Sequence, residues 1–161
     1  MTRASQLLCG FKKSTSNQPR EDASPLCKTI LFVDDEPSIL KVRQLIFESM
    51  GYCALTAESG EDALEILREK AVDVVVLDYL MPGMDGEETA REIRRLLGDI
   101  PIVLSSGCLS IPERVLELVN ASVEKIAGPE ALRDAVEQQL RPTSVEWGGS
   151  AQDEAVQLDT R

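Results

Sequence analysis

Short apolar runs alternate with helical patterns five times along the middle of this chain. The runs predict strands at about 29–33, 52–57, 73–77, 101–105 and 121–124. The segments that follow them predict helices at about 37–49, 60–70, 86–97, 111–119 and 129–140. Residues 74–77 are apolar at consecutive positions, which is expected where helices cover both faces of a parallel sheet. The pattern therefore predicts a doubly wound five-stranded parallel α/β fold.

Apolar residues at helical spacing predict which helix faces pack on the sheet. The stripes are Ile39, Val42 and Ile46 in the first helix, Ala90, Ile93 and Leu97 in the third, and Leu132, Val136 and Leu140 in the fifth. Ser59 is a predicted N-cap of the second helix, and Pro129 a predicted first-turn residue of the fifth.

The length and charge of the chain limit its organisation and its partners. Its 161 residues, 43% of them hydrophobic, fit one domain with extra residues at both ends. We predict a folded domain over 28–141, a flexible segment over 1–27 and a flexible tail over 142–161. The formal net charge of −11 disfavours direct binding to nucleic acid or to an anionic membrane, and no apolar run approaches membrane-spanning length.

The four cysteines are scattered along the chain without a metal-binding pattern. Cys9, Cys27, Cys53 and Cys108 have no C-x-x-C spacing, and the chain contains no histidine to complete a zinc site. We interpret them as reduced thiols, which predicts a cytoplasmic protein.

Acidic residues follow two of the predicted strands at the point where each strand ends. Asp34 and Asp35 come directly after the first strand, and Asp78 ends the third. Doubly wound sheets bind ligands outside the carboxyl ends of their strands, where the strand order reverses; with the order 2-1-3-4-5 this place lies between strands 1 and 3. Three clustered carboxylates at that edge suggest a hard cation such as Mg²⁺.

The other strand ends supply groups suited to a phosphoryl ligand. The fourth strand ends at Ser105 and Ser106, and the fifth ends at Lys125. A hydroxyl and an ammonium group beside Mg²⁺ and a carboxylate form a pocket for a phosphoryl group, with Asp78 as the attacking nucleophile.

The chain resembles the receiver domain of two-component response regulators over about residues 28–141. The resemblance is carried by FVDDEP at 32–37, VVVLDYLMPGMDG at 74–86, PIVLSSG at 101–107 and the lysine at 125. It implies the flavodoxin-like (βα)5 receiver fold with the strand order 2-1-3-4-5. It also implies an aspartate that accepts a phosphoryl group from a histidine kinase or a histidine phosphotransfer protein.

The resemblance assigns a role to each matching position. Asp78 looks like the phosphoacceptor. The Mg²⁺ ligands would be Asp34, Asp35 and Asp78, with the backbone carbonyl of Leu80. Ser106 matches the hydroxyl residue that contacts the phosphoryl oxygen, with Ser105 as the alternative, and Lys125 matches the lysine that neutralises phosphoryl charge.

Two positions depart from the family pattern. Ile126 follows Lys125 where receivers usually have proline, so the usual cis peptide is not expected, because a cis bond before a non-proline residue costs about 2.5–4 kcal/mol. Ser122 stands where many receivers carry an aromatic ring that moves on phosphorylation. These departures affect the expected signalling surface more than the chemistry.

The predicted function is a cytoplasmic phosphoryl-accepting receiver that depends on Mg²⁺ and acts through contact with a downstream protein not identified by the sequence. Its activity would be limited to its own phosphorylation and dephosphorylation, so we do not expect an enzyme with an external substrate. The alternatives are a degenerate receiver used for binding or dimerisation, and a receiver excised from a hybrid histidine kinase.

A hydrolase of the haloacid dehalogenase type is disfavoured because its nucleophile would follow the first strand in a D-x-D pattern. Flavin binding is disfavoured because the loop after the first strand is acidic.

Overall fold

The computed structural model describes residues 27–107 and 110–141. The strands are β1 Thr29–Val33, β2 Cys53–Ala57, β3 Val74–Asp78, β4 Ile102–Ser106 and β5 Ala121–Glu124. The helices are α1 Pro37–Ser49, α2 Gly60–Glu69, α3 Gly86–Leu97, α4 Glu113–Leu116 and α5 Gly128–Leu140, with a 3₁₀ turn at Lys125–Ala127. The alternation predicted from the sequence is confirmed. The predicted flexible segments, 1–27 and 142–161, lie outside the described residues except for Cys27.

All five strands are parallel, in the order β2-β1-β3-β4-β5. The predicted doubly wound sheet and its strand order are therefore confirmed. β1 and β3 are neighbours, with Val33 opposite Leu77, so their carboxyl ends lie side by side. The order reverses at this place, which puts the candidate site between β1 and β3.

Helices cover the sheet on both sides, as the consecutive apolar runs require. The α1/α5 face consists of Ile30, Phe32, Val74, Val76 and Val103, packed on α1 and α5. The α2/α3/α4 face consists of Leu31, Val33, Val75, Leu77, Ile102 and Leu104, packed on the other three helices. Because neighbouring positions of a strand point to opposite faces, each strand supplies side chains to both halves of the core.

Local sequence signals fix the ends of several helices. The hydroxyl of Ser59 accepts a hydrogen bond from the backbone N–H of Asp62 at 3.1 Å, which confirms the predicted cap of α2. Asp85 caps α3 in the same way, and Pro129 lies in the first turn of α5 as predicted. These caps set where α2 and α3 begin after β2 and β3.

The prediction for the fourth helix was wrong in length. A helix was expected over 111–119, but α4 comprises only Glu113–Leu116. Pro112 precedes it and, lacking an N–H, cannot extend it backward by a hydrogen bond. The carbonyl of Leu118 accepts a hydrogen bond from the Arg94 side chain, so the chain beyond α4 is tied to α3 instead of continuing the helix.

The prediction for the buried stripe of α1 was wrong at Val42, whereas Ile46 is half-buried and packs against the α1/α5 face as predicted. The buried apolar residues of this helix are Leu40 and Phe47. Val42, which was expected to face the sheet, is 55% exposed. The buried face of α1 is therefore rotated from the predicted stripe, and Arg43 lies on it between the two apolar residues.

Cys27 and Cys53 are joined by a disulfide, with their Cα atoms 5.9 Å apart. The prediction of reduced thiols was wrong for this pair. Cys27 directly precedes β1 and Cys53 opens β2, and these strands pair with Thr29 opposite Cys53. A sequence separation of 26 residues gives no sign of this proximity, which arises only from the strand register. Cys9 and Cys108 lie outside the described residues.

Within the described ranges, no helix is both long enough and apolar enough to span a bilayer.

Candidate phosphoryl-transfer site

Three carboxylates converge at the carboxyl ends of β1 and β3. Asp34, Asp35 and Asp78 each offer an oxygen atom, and these atoms lie within 4.8 Å of one another. Asp34 is fully buried and Asp78 is 3% exposed, while Asp35 is open to solvent. Carboxylate oxygens with one open side fit Mg²⁺, which keeps several waters and takes few protein ligands. The structure thus brings together the three side chains predicted as metal ligands.

Lys125 joins two of these acids through its ammonium group. Its Nζ lies 2.9 Å from Oδ2 of Asp34 and 2.9 Å from Oδ2 of Asp78. Burial by itself would lower the pKa of Lys125, but the hydrogen bonds that it donates to Asp34 and Asp78, with the charges of these acids, outweigh burial and raise its pKa above the usual value. The lysine is therefore a permanent cation at neutral pH, placed beside the predicted acceptor.

The carboxyl group of Asp78 is held in an environment that disfavours its charge. Burial raises its pKa, and the nearby charge of Asp34 adds to this effect. Hydrogen bonds from Lys125 and from the backbone N–H of Tyr79, at 2.8 Å, act in the opposite direction without cancelling the rise. An additional cation at the site would favour the ionised, nucleophilic form of Asp78.

The two serines at the end of β4 have different surroundings. Both are buried. Ser105 is paired with Asp78 in the sheet, and its Oγ accepts a hydrogen bond from Arg43 Nη2 at 2.8 Å. Ser106 is the next residue, so alternation turns its side chain to the α2/α3/α4 face. The hydroxyl of Ser105 is thus engaged with α1, and Ser106 as the hydroxyl that contacts a phosphoryl oxygen stays a prediction.

The loop after β3 packs directly on the end of its own strand. The backbone N–H of Gly86, the first residue of α3, donates to the carbonyl of Tyr79 at 2.9 Å. A Cβ atom at Gly86 would clash with the carbonyl oxygen of Asp78 and lie 2.7 Å from Cα of Tyr79. Glycine is therefore required where α3 begins, and this close approach fixes the backbone that carries Asp78.

Leu80 lies in the loop after β3 and Ile126 in the 3₁₀ turn after β5, on either side of the site. Leu80 is 60% exposed on the loop after Asp78; its carbonyl as a metal ligand stays a prediction. Ile126 is 82% exposed beside Lys125, and no cis peptide bond occurs in the described parts of the chain. The bond between Lys125 and Ile126 is therefore trans, as expected for a non-proline residue.

Arg43 is a site residue that the sequence analysis missed. Its Nη1 lies 3.3 Å from Oδ2 of Asp34, and its side chain is only 11% exposed. Burial lowers the pKa of the guanidinium, and the charges of Asp34 and Asp78 raise it in opposition. The available signal was the helical spacing of Leu40, Arg43 and Phe47, which places an arginine between two core residues.

The family-model comparison and the curated relatives agree with one another. Residues 30–138 match the model described as "Response regulator receiver domain". Over 125 residues the chain is 34% identical to the transcriptional regulatory protein GlrR of Escherichia coli K12, covering 73% of this chain and 28% of that protein. It is 36% identical over 118 residues to the probable transcriptional regulator ycf27 of Guillardia theta, covering 71% of this chain and 46% of that protein. The chain thus spans less than half the length of these relatives.

Solved structures give the same result for the fold. The response regulator TrrA of Thermotoga maritima, in complex with Mg²⁺ and BeF, has 34% identity and a TM-score of 0.66, covering 70% of this chain and 99% of that one. The chemotaxis protein CheY4 of Vibrio cholerae has 26% identity and a TM-score of 0.66, covering 71% and 99% of the two chains.

Proposed function

Because this chain belongs to the response regulator receiver family, we propose that it accepts a phosphoryl group on Asp78 from the phosphohistidine of a partner protein. The observation that carries the proposal is the contact of Lys125 with both Asp34 and Asp78, which joins a cation, a candidate nucleophile and a metal-binding carboxylate in one cluster. A degenerate receiver used only for binding or dimerisation would not need this cluster.

In the proposed reaction, a carboxylate oxygen of Asp78 attacks the phosphorus of the donor. An O–P bond forms on Asp78, the P–N bond of the donor breaks, and the imidazole leaves with the electron pair of that bond. Asp34, Asp35 and Asp78 would hold Mg²⁺, which supplies charge neutralisation between an anionic nucleophile and an anionic donor. Lys125 and Ser106 would bind the phosphoryl oxygens, and Gly86 keeps the Asp78 backbone in place.

The proposed donor is a histidine kinase or a histidine phosphotransfer protein. The chain has no histidine of its own, so the donor histidine must come from another molecule or from another part of a longer protein. A structure of the relative TrrA in complex with the histidine kinase ThkA, 34% identical to this chain, supports this choice. We assign the relatives' transcriptional role to those whole proteins only, because this chain spans a minor part of their length.

We also propose that the domain acts in the cytoplasm and turns over only its own phosphoryl group. Output would occur through contact with a downstream protein, since the net charge of −11 opposes direct contact with nucleic acid. The Cys27–Cys53 disulfide argues against a reducing compartment.

Incubation with acetyl phosphate and MgCl₂, followed by intact mass spectrometry, tests the proposal. We expect a mass gain equal to one phosphoryl group, which is absent after addition of EDTA and absent in Asp78→Asn. Asp73→Asn, at the opposite end of the same strand, is the matched control and should be labelled like the wild type. Multiple-turnover release of phosphate from small esters, without labelling of Asp78, would instead favour a hydrolase.

A further inference from the structure

Arg43 occupies the middle of the buried face of α1, where a helix of this fold packs on the sheet. Leu40 lies three residues before it and Phe47 four residues after it, and both are buried in the α1/α5 face. A charged side chain at such a position is costly unless it is paired. Arg43 is paired twice, with Oδ2 of Asp34 at 3.3 Å and with the hydroxyl of Ser105 at 2.8 Å.

Two cations converge on one oxygen of Asp34. Oδ2 is within 3.3 Å of Arg43 Nη1 and within 2.9 Å of Lys125 Nζ. The other oxygen, Oδ1, accepts a hydrogen bond from the backbone N–H of Glu36 at 3.1 Å. Both oxygens of this fully buried carboxylate therefore already have donors, although Asp34 is one of the three acids that could hold a metal.

The charges of the cluster give this arrangement a direct consequence. Three carboxylates attract a divalent cation, whereas the two nearby cations repel it. Because Asp34 is buried, water screens these interactions much less than it would at the surface. The guanidinium of Arg43 and a metal ion thus act in opposition at the same carboxylate.

From this geometry we infer that Arg43 is a positioning residue that competes with Mg²⁺ for Asp34 and sets how much Mg²⁺ the phosphorylation of Asp78 requires. The inference rests on the proposed function, because it concerns the metal site of that reaction. Without metal, Arg43 holds the Asp34 carboxylate in place. With metal, it reduces the net attraction of the site for the ion.

The two cations differ in what else they bind. Lys125 also contacts Asp78, so a phosphoryl group on Asp78 would draw the lysine toward it. Arg43 does not contact Asp78 through a hydrogen bond but donates to Ser105 in β4. A movement of Lys125 would therefore leave Arg43 beside Asp34. Arg43 therefore acts on the metal-binding carboxylate throughout the cycle, whereas Lys125 acts on the phosphoryl group.

Isothermal titration of the full chain with MgCl₂ alone tests this inference. In Arg43→Met, which keeps a long apolar side chain and removes the charge, we expect the Kd for Mg²⁺ to fall roughly tenfold, the order expected for removing one unit charge close to a partly desolvated ion. Arg43→Lys, which keeps the charge, should return the Kd to within about threefold of the wild-type value.

Lys41→Met is the matched control, because Lys41 is an exposed cation on the same helix and its loss changes the net charge equally. Its Kd should stay within about twofold of the wild type, since exposed charges are screened by solvent and salt. Urea unfolding without metal checks that each variant folds, and we expect Arg43→Met to be destabilised because Asp34 loses a partner.

The outcomes separate this inference from the proposed function. Equal Kd values for the wild type and Arg43→Met would overturn the inference while leaving the phosphorylation of Asp78 intact. If the Kd for Mg²⁺ falls as much in Arg43→Lys as in Arg43→Met, the charge of Arg43 does not cause the competition, and the inference is overturned. If the wild type neither binds Mg²⁺ nor gains a phosphoryl group, the inference and the proposed function both fail.

Discussion

The two ends of β3 each carry an aspartate, and the two carboxyl groups are held in opposite ways. Asp73 immediately precedes the strand and Asp78 ends it. Burial alone would raise the pKa of Asp73, but hydrogen bonds from Lys28 and from the backbone N–H of Thr29 outweigh burial and hold the pKa below its usual value. At Asp78, burial and the charge of Asp34 prevail over Lys125, and the pKa lies above its usual value.

This difference indicates that the two edges of the sheet serve different purposes. At the amino edge, each charge has partners that satisfy it: Lys28 Nζ lies 2.8 Å from Asp73, and Thr29 donates its N–H to the same carboxylate at 2.8 Å. At the carboxyl edge, Arg43 pairs with Asp34, Lys125 pairs with both Asp34 and Asp78, and Asp78 as an anion still costs stability. The charge of Asp73 at the amino edge therefore favours the folded state, whereas the reactive groups lie at the opposite edge.

The largest expected effect on stability comes from Arg94, which ties the amino edge together. Its guanidinium donates to the carbonyls of Leu118 and Gly98, each at 2.8 Å, and to Oδ1 of Asn120 at 2.7 Å. We expect Arg94→Met to lower the free energy of unfolding by about 3 kcal/mol, because the partly buried acceptors lose their donors. Urea unfolding measures this loss.

The comparison of the edges also requires that Arg94→Met still gain a phosphoryl group at Asp78 at a rate near that of the wild type, at a temperature where the variant is folded. Exposed Arg91, one turn earlier on α3, is the matched control, and Arg91→Met should cost less than about 1 kcal/mol. If Arg94→Met is folded but loses phosphorylation, the amino edge affects the reaction at the carboxyl edge, and the two edges are not independent.

Gly86→Ala changes the carboxyl edge. Compared with Arg94→Met, we expect a smaller loss of stability and a larger loss of phosphorylation. The added methyl group collides with the backbone of Asp78 and Tyr79, so we expect destabilisation of about 2 kcal/mol and slower phosphorylation. Gly107→Ala is the control, because no described residue beyond its chain neighbours lies within 4 Å of a Cβ atom there. Wild-type phosphorylation rates in Gly86→Ala would show that the strand end tolerates displacement.

The sequence was sufficient for the parts of the molecule that depend on local pattern. Consecutive apolar residues at 74–77 predicted a central buried strand, and the polar residues directly after the runs marked the strand ends. Since parallel strands end at one edge, this was enough to bring Asp34, Asp35, Asp78 and Lys125 together. The family resemblance then supplied the roles of these residues, which stay predictions.

The parts that failed depend on contacts between distant segments. The spacing of apolar residues did not place Arg43 on the buried face of α1, because its partners there, Asp34 and Ser105, come from the ends of β1 and β4. The length of α4 was overestimated because the carbonyl of Leu118 accepts a hydrogen bond from Arg94, which lies 24 residues earlier in the chain. The Cys27–Cys53 disulfide depends on the register of β1 and β2.

The smallest expected effects come from the two aspartates of β3, and they have opposite signs. In the absence of metal at pH 7, Asp78→Asn should raise the free energy of unfolding and Asp73→Asn should lower it, each on the order of 1 kcal/mol, the usual size of a single-site effect. Asparagine keeps the shape of each side chain and removes the charge. Urea unfolding of the metal-free proteins between pH 7 and pH 3 measures both.

The pH dependence follows from the direction of each pKa shift. Since the pKa of Asp78 is raised on folding, its protonation contributes stability below the unfolded pKa, near 3.9, and this contribution is lost as the pH rises through the folded pKa. The advantage of Asp78→Asn should therefore shrink as the pH falls. Asp73 stabilises the fold above its unfolded pKa and loses this contribution as the pH falls through its lowered folded pKa, so Asp73→Asn should become harmless in acid. The same sign for both variants at pH 7 would contradict the assignment of stability to one edge and reactivity to the other.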